Sequence, residues 1–333
     1  MLRPLRSGQV AQGPEVTRFE REVARRLGLR GGAATSSGTA ALHLTLLALD
    51  IGPGDGVVLP SYVCSALLQA VRCAGAIPQL ADLAEGRLYP GPEEIKRAAD
   101  RKTRAVLFPH PFGEPVDLKD IAELGFPLVE DLAQSLGARL WGRPVGRTGC
   151  AAVCSFYATK MMASGEGGMV ASNRAGLLRE VRGRRDYDEP PDGRLRFNYK
   201  MSDLHAALGR SQLRKLPRFI RRRREIAALY RRAFRDLPLA LPADPPGGRH
   251  VYHRYIVRVA GGPGAAGLIR FLQGKGIIAR RPVHRPIHRL LGLSGFPRTD
   301  WAAREAVSLP CYPALSDEEA QRVIEAVRAA FQA

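Results

Sequence analysis

Short apolar runs rich in β-branched residues recur along the first half of the chain, with helical patterns between them. Residues 56–60 (GVVLP), 77–80, 105–108 (AVLF), 127–129 and 152–156 read as strands. Residues 39–49, 65–74 and 118–124 carry the helical spacing. This alternation predicts an α/β fold, with a largely parallel sheet covered by helices on both faces. Functional groups of such sheets collect in the loops at the carboxyl ends of the strands.

The last third has a different pattern. Residues 202–230 read as a long helix broken at Pro217. Residues 237–250 are proline-rich with paired glycines and read as a linker or long loop. A strand is expected over 251–259, a helix over 265–274 ended by glycine, and a final helix over 316–330. Ser316 and Glu319 form a capping box for that last helix. The predicted organisation is a large α/β domain over 1–220 and a smaller C-terminal α+β domain over 221–333.

Composition narrows the setting. The longest apolar stretch, 40–49, contains His43 and falls well short of the ~20 residues that cross a bilayer. The first residues lack the apolar core of a signal peptide. Five cysteines without paired spacing argue against a disulfide framework and a structural zinc site, so no metal is expected and a cytoplasmic protein is. The net charge is +19, and 44 of the 51 basic residues are arginine. Residues 179–235 concentrate it, with 18 basic and 7 acidic residues. No helix-turn-helix pattern or aromatic platform accompanies that run, which argues against nucleic acid as the partner.

Four segments carry candidate chemistry. Residues 35–42 (TSSGTAAL) place small hydroxylated residues and a glycine before a helix, which suits a phosphate or an ordinary helix cap. Residues 127–134 (PLVEDLAQ) run an apolar strand into Glu130 and Asp131, either a helix-start acid pair or a partner for a protonated ring nitrogen. Residues 152–170 place Ser155 at a strand end and Lys160 in the following loop. Lysine is scarce here, and an amine can form a Schiff base where a guanidinium cannot. The plainer reading is a surface lysine. Residues 197–203 (FNYKMSD) precede a long helix; Asn198 and Lys200 suit an anion, or Ser202 merely caps.

Phosphate cradle, acid after a strand, then serine and lysine about thirty residues on is the layout of a pyridoxal 5'-phosphate (PLP) enzyme. Together these segments resemble the DegT/DnrJ/EryC1/StrS family of fold-type-I sugar aminotransferases, across roughly residues 8–330. The matching motifs include GPEVTRFE (13–20), SSGTAAL (36–42), GPGD (52–55), PSY (60–62), HPFG (110–113), SFYATK (155–160), GEGG (165–168), FNYKMSD and SLPCYP (308–313). The resemblance implies that Lys160 bonds to PLP and shuttles the substrate proton. It implies that Asp131 pairs with the pyridine nitrogen, that Gln134 lies beside the ring, and that Gly38, Thr39 and Ser155 bind the phosphate. Asn198 is expected to reach a neighbouring subunit's cofactor, giving a homodimer with shared sites, and Lys200 stands near that junction. The implied substrates are an amino-acid donor, L-glutamate by family expectation, and a keto-sugar acceptor linked to a nucleotide. The arginines at 184, 185 and 196 are expected to draw that acceptor in.

The chain also departs from the family pattern. Cys64 takes a cofactor-facing position that is usually an aromatic. The usual VHYxxPLH loop reads RPVHRPIH at 281–288, keeping Pro286 and His288 in register. The family's opening segment ahead of the first helix is absent. A ketocyclitol acceptor is one alternative. A PLP-dependent sugar dehydratase is another, although those relatives carry histidine where Lys160 stands. A non-catalytic regulatory or nucleic-acid-binding relative is the alternative from a different class.

Overall fold

A computed structural model describes residues 2–188 and 193–332. The strands of its first two thirds are β1 (Gly31–Thr35), β2 (Gly56–Pro60), β3 (Ile77–Ala81), β4 (Thr103–Pro109), β5 (Leu128–Asp131), β6 (Arg139–Leu140), β7 (Arg143–Pro144), β8 (Ala151–Ser155) and β9 (Gly168–Ser172). Helices α1 (Leu2–Ser7), α2 (Pro14–Leu27), α3 (Gly38–Ala48), α4 (Ser65–Cys73), α5 (Pro92–Ala98), α6 (Lys119–Ala122) and α7 (Ala175–Arg184) belong to the same part. Seven strands form one sheet in the order β1-β9-β8-β5-β4-β2-β3. All run in one direction except β9, which is antiparallel to both of its neighbours.

Alternation along the strands supplies the two faces. Val129, Ala151, Val153 and Val170 pack against α3, α4 and α7. Ala152, Cys154, Met169 and Ala171 meet α2 and the following long helix, α8 (Asp203–Phe234). Strand β1 lies outside the sequence expectation because GGAAT has weak strand propensity. Its glycines are there for contact: a Cβ on Gly31 would sit 2.9 Å from Leu178, and one on Gly32 2.8 Å from Met169.

Pro217 does not break α8, contrary to the sequence reading. Leu213 and Leu216 before it and Ile220 just after it bury in the large core. Ile226, Tyr230 and Phe234 bury beyond it in a second core. That anchoring on both sides offsets the missing hydrogen bond, which costs about 3 kcal/mol. The second core packs α9 (Gly264–Gly274) and α12 (Asp317–Ala330) on the antiparallel sheet of β10 (Leu239–Ala240), β12 (Tyr255–Val259) and β13 (Ala306–Leu309). The segment read as a linker thus holds β10 and also β11 (Gly248–Arg249), which pairs with β6. Helices α10 (Ile287–Leu290) and α11 (Pro297–Glu305) turn back, placing Ile287 in the core of the large sheet.

The strand expected over 251–259 starts only at Tyr255. Residues before it instead line the 110–114 loop: Val251 N–H donates to the Gly113 carbonyl at 3.0 Å, and Arg254 N–H to Phe112 at 3.2 Å. Gly113 adopts φ 102°, and a Cβ there would meet the His253 nitrogen at 2.8 Å, so glycine is required. Buried Arg223 of α8 donates to the carbonyls of Tyr252, His253 and Cys311, fixing this crossing. No helix among the described residues is long and apolar enough to cross a membrane.

Asp203 holds the start of α2 from 190 residues away: its carboxylate accepts from the N–H groups of Gly13, Glu15 and Val16 at 2.9, 3.1 and 2.9 Å. Asp203→Ala leaves those donors buried and unpaired. The variant is expected to lose roughly 1–3 kcal/mol of stability in urea titration, with an earlier midpoint and an unchanged slope.

Candidate active site

The carboxyl ends of β5 and β8 meet the start of α3. Ser37 caps α3 by accepting from Ala40 N–H at 3.0 Å, which leaves its own hydroxyl proton free to donate. Thr35 Oγ1 donates to the Ser37 carbonyl, and Ser36 N–H donates to Tyr199 at 2.7 Å, so the turn is held from two sides. Gly38 is required by proximity: a Cβ there would lie 2.8 Å from Cβ of Ser155.

A cavity of about 240 Å³ opens at this meeting point. Gly38, Thr39, Cys64, Asp131, Ser155 and Lys160 all line it, so six of the sequence-derived residues come together. Tyr157 and Glu166 line it as well, and sequence reasoning had not singled them out.

Asp131 is 6% exposed, and among the described residues one hydrogen bond reaches its carboxylate, from Ala133 N–H at 2.8 Å. Burial pushes its pKa above the usual carboxylate range; the Ala133 bond and the Lys160 charge only partly offset this. Lys160 sits in a turn closed by its N–H on the Tyr157 carbonyl at 2.9 Å. Among the described residues no hydrogen bond or ion pair holds its amine. Cys64 lies at the mouth, its thiol raised by the surrounding protein and by the Asp131 charge.

Behind the cavity, Glu130 is 1% exposed and accepts from Gly146, Thr148 and Gly149 N–H at 2.8, 2.7 and 2.6 Å. His110 Nε2 stands 3.0 Å from the same carboxylate. His110 Nδ1 accepts from Val116 N–H at 3.0 Å, so Nε2 carries the proton and donates to Glu130. Burial works against the Glu130 charge, but His110 and the amides of Gly149 and Gly146 outweigh it and lower its pKa. The spacing HPFG contained this histidine, yet nothing in it announced the carboxylate it serves.

Four residues singled out from the sequence stand apart from the cavity lining. Gln134 Oε1 accepts from Phe112 N–H at 2.7 Å, so its carbonyl end braces the 110–114 loop. Asn198 is exposed on the loop between α7 and α8. Lys200 is paired with Asp186 at 2.6 Å and Asp188 at 3.0 Å, which raise its pKa. His288 is buried, with Nδ1 2.8 Å from Ser61 Oγ and Nε2 3.2 Å from Asp300. Arg185 is buried too, bonded to Glu20 at 2.6 Å and the Ala34 carbonyl at 2.7 Å. Its charge is therefore neutralised inside the fold and does not reach out toward a substrate.

A helix start able to bind an anion, a buried acid and an unpaired lysine, gathered at the strand ends of such a sheet, are what a PLP-dependent enzyme requires. The cradle fits a phosphate, the under-bonded Asp131 fits a ring N–H, and the Lys160 amine fits an aldehyde. The chain belongs to the DegT/DnrJ/EryC1/StrS aminotransferase family, which matches residues 1–328. It is a PLP-dependent aminotransferase of fold type I. It is 30% identical to a GDP-perosamine synthase of Vibrio cholerae, over 98% of this chain and 93% of that one. The fold superimposes with a TM-score of 0.94 on DesV from S. venezuelae, solved in complex with a ketimine intermediate. That match has 33% identity and covers 100% of this chain and 93% of the other. DesI, solved in the presence of its TDP-sugar product, matches at TM-score 0.93 and 29% identity, covering 99% and 88%.

Gly38→Ala thrusts a methyl group at Ser155 and narrows the cradle. Equilibrium titration with PLP is expected to show at least about tenfold weaker binding, a loss of ~1.4 kcal/mol. The melting temperature without added PLP should fall as well, because the methyl group also forces α3 away from β8.

Proposed function

We propose that this enzyme moves the amino group of an amino acid, L-glutamate, to a nucleotide-linked keto-sugar such as a 4-keto-6-deoxysugar. The observation that carries this reading is the free amine of Lys160 in one cavity with the buried, under-bonded Asp131. The GDP-perosamine synthase and the TDP-sugar product of DesI support the acceptor class. PLP supplies the electron-withdrawing ring that acidifies the carbon bearing the amine.

The chain's own residues do the rest. Asp131, buried at 6% exposure, would accept the ring N–H and stabilise its positive charge. Lys160, whose amine no side chain among the described residues engages, would take the proton from the substrate carbon and return it during transfer. The α3 start, Thr39 and Ser155 would hold the phosphate, and Cys64 lines the same cavity. Gln134 holds the 110–114 loop beside the site, and His288 ties α10 to Ser61 next to β2. In this reading residues 1–220 form the cofactor domain and residues 221–333 the smaller domain. The exposed Asn198 completes the site of a second copy in a homodimer. Its loop supports this, because the neighbouring Tyr199 carbonyl already anchors Ser36 in the cradle. Lys200 shapes that loop through Asp186 and Asp188.

Borohydride treatment of the PLP-loaded protein should add one reduced cofactor to the peptide containing Lys160. L-glutamate added first should prevent that labelling, and a keto-sugar nucleotide should then restore it. Lys160→Ala should abolish labelling and lower turnover by about 10²–10⁴-fold. Labelling that L-glutamate leaves intact would contradict L-glutamate as the donor. Restoration by free ketocyclitols but not by nucleotide sugars would favour the cyclitol alternative.

A further inference from the structure

A second cavity, of about 760 Å³, adjoins the first, and Lys160 lines both. It lies where the Lys160 turn meets the 253–254, 276–280 and 308–315 segments of the C-terminal part. Its size falls within the range that encloses a whole drug-sized ligand, and far exceeds what a single amino acid fills.

The charge in this cavity is one-sided. Lys160, Arg223, Arg254, Arg280 and Arg322 line it against one carboxylate, Glu319. Glu319 is committed to its own helix, accepting from Ser316 N–H at 2.8 Å in the capping box. Arg223 is spent on three carbonyls. Arg254 and Arg280 differ: among the described residues, no hydrogen bond or ion pair reaches either guanidinium. Arg254 is half-buried, and burial together with the Arg280 charge disfavours its cationic form, so the two groups repel each other. Two like charges held near each other without a counter-charge are unfavourable by themselves and favourable around a doubly charged anion.

An independent observation points the same way. His253, next in sequence to Arg254, lines the cavity while 7% exposed, and its Nδ1 is buried without a partner. Burial and the surrounding cations Lys160, Arg223 and Arg254 hold its pKa well below the ordinary value, so the ring is neutral. A neutral imidazole can donate one N–H to an oxygen. Exposed Ile278 and Tyr312 extend the lining with apolar surface beyond the cations.

We propose that Arg254 and Arg280, assisted by His253, form the subsite for the diphosphate of the acceptor, with Ile278 and Tyr312 beside its base. This rests on the reading of the acceptor as a nucleotide sugar. The arginines are specificity-determining residues here and take no part in moving the proton. A donor carboxylate is the competing occupant, and the cavity's size together with the adjacent, unpaired Arg254 and Arg280 favours the diphosphate.

Calorimetric titration of the PLP-loaded enzyme with inorganic pyrophosphate tests the subsite without turnover. Arg254→Gln and Arg280→Gln should each weaken binding at least about tenfold. In steady-state assays each should raise KM for the nucleotide sugar by a similar factor. kcat at saturating acceptor and KM for L-glutamate should stay within about twofold of the parent. Arg280 is exposed, so its variant keeps the test valid if Arg254→Gln folds poorly. A raised KM for glutamate with an unchanged acceptor KM would assign the cations to the donor and overturn the proposal. Unchanged pyrophosphate binding in both variants would overturn it as well. If the parent enzyme binds pyrophosphate through these arginines yet aminates no nucleotide sugar, the acceptor reading fails while the diphosphate subsite stands.

Discussion

Glu130 is the buried charge around which this site is built. An ionised carboxylate this far from water is tolerated only when donors surround it. Here the donors are His110 and the backbone of Gly146, Thr148 and Gly149, so one side chain fastens the end of β5, the 110–116 loop and the approach to β8. The next residue inherits the rigidity. Asp131 alternates to the other face of the strand, with one hydrogen bond and a raised pKa. Of two adjacent carboxylates, one is satisfied by the protein and serves as frame. The other is held in place but left short of partners, and in the proposed function a protonated ring nitrogen would supply what it lacks.

The same economy governs the helix side of the cavity. Gly38 lets α3 approach β8 closely enough for a helix start and a strand-end serine to face one cavity. Further out, α8 runs through Pro217 because it is buried at both ends, and Arg223 on it clasps the crossing that carries His253 and Arg254. The two cavities meet at Lys160 because these attachments bring the small sheet up to the turn after β8. The two cavities are thereby lined by parts of the chain that are far apart in sequence.

Strands β2, β3, β4, β5 and β8 and six residues of the cavity lining were legible because they follow local rules: apolar runs, a capped helix start, an acid and a lysine after strands. Strand β1 was not, since its glycines and alanines serve close packing and carry no strand signal. The course of α8 was misread because proline is a local penalty, whereas the burial that overrides it comes from two distant cores. The Glu130–His110 pair and the Arg254–Arg280 pair were invisible for a related reason. Each depends on residues brought together by the fold, with no spacing that marks them in advance. Lys200 and His288 were legible as polar residues in promising segments. Their partners, Asp186, Asp188, Ser61 and Asp300, were set by tertiary structure.

The central claim is that Asp131, positioned by the Glu130 frame, keeps the cofactor's ring nitrogen protonated. The direct measurement is the ¹⁵N chemical shift of that nitrogen in enzyme loaded with ¹⁵N-labelled PLP, followed across the neutral pH range. The account predicts a protonated shift throughout for the parent enzyme and its loss in Asp131→Asn. An unprotonated ring nitrogen in the parent, or the same protonated shift in Asp131→Asn, would contradict it.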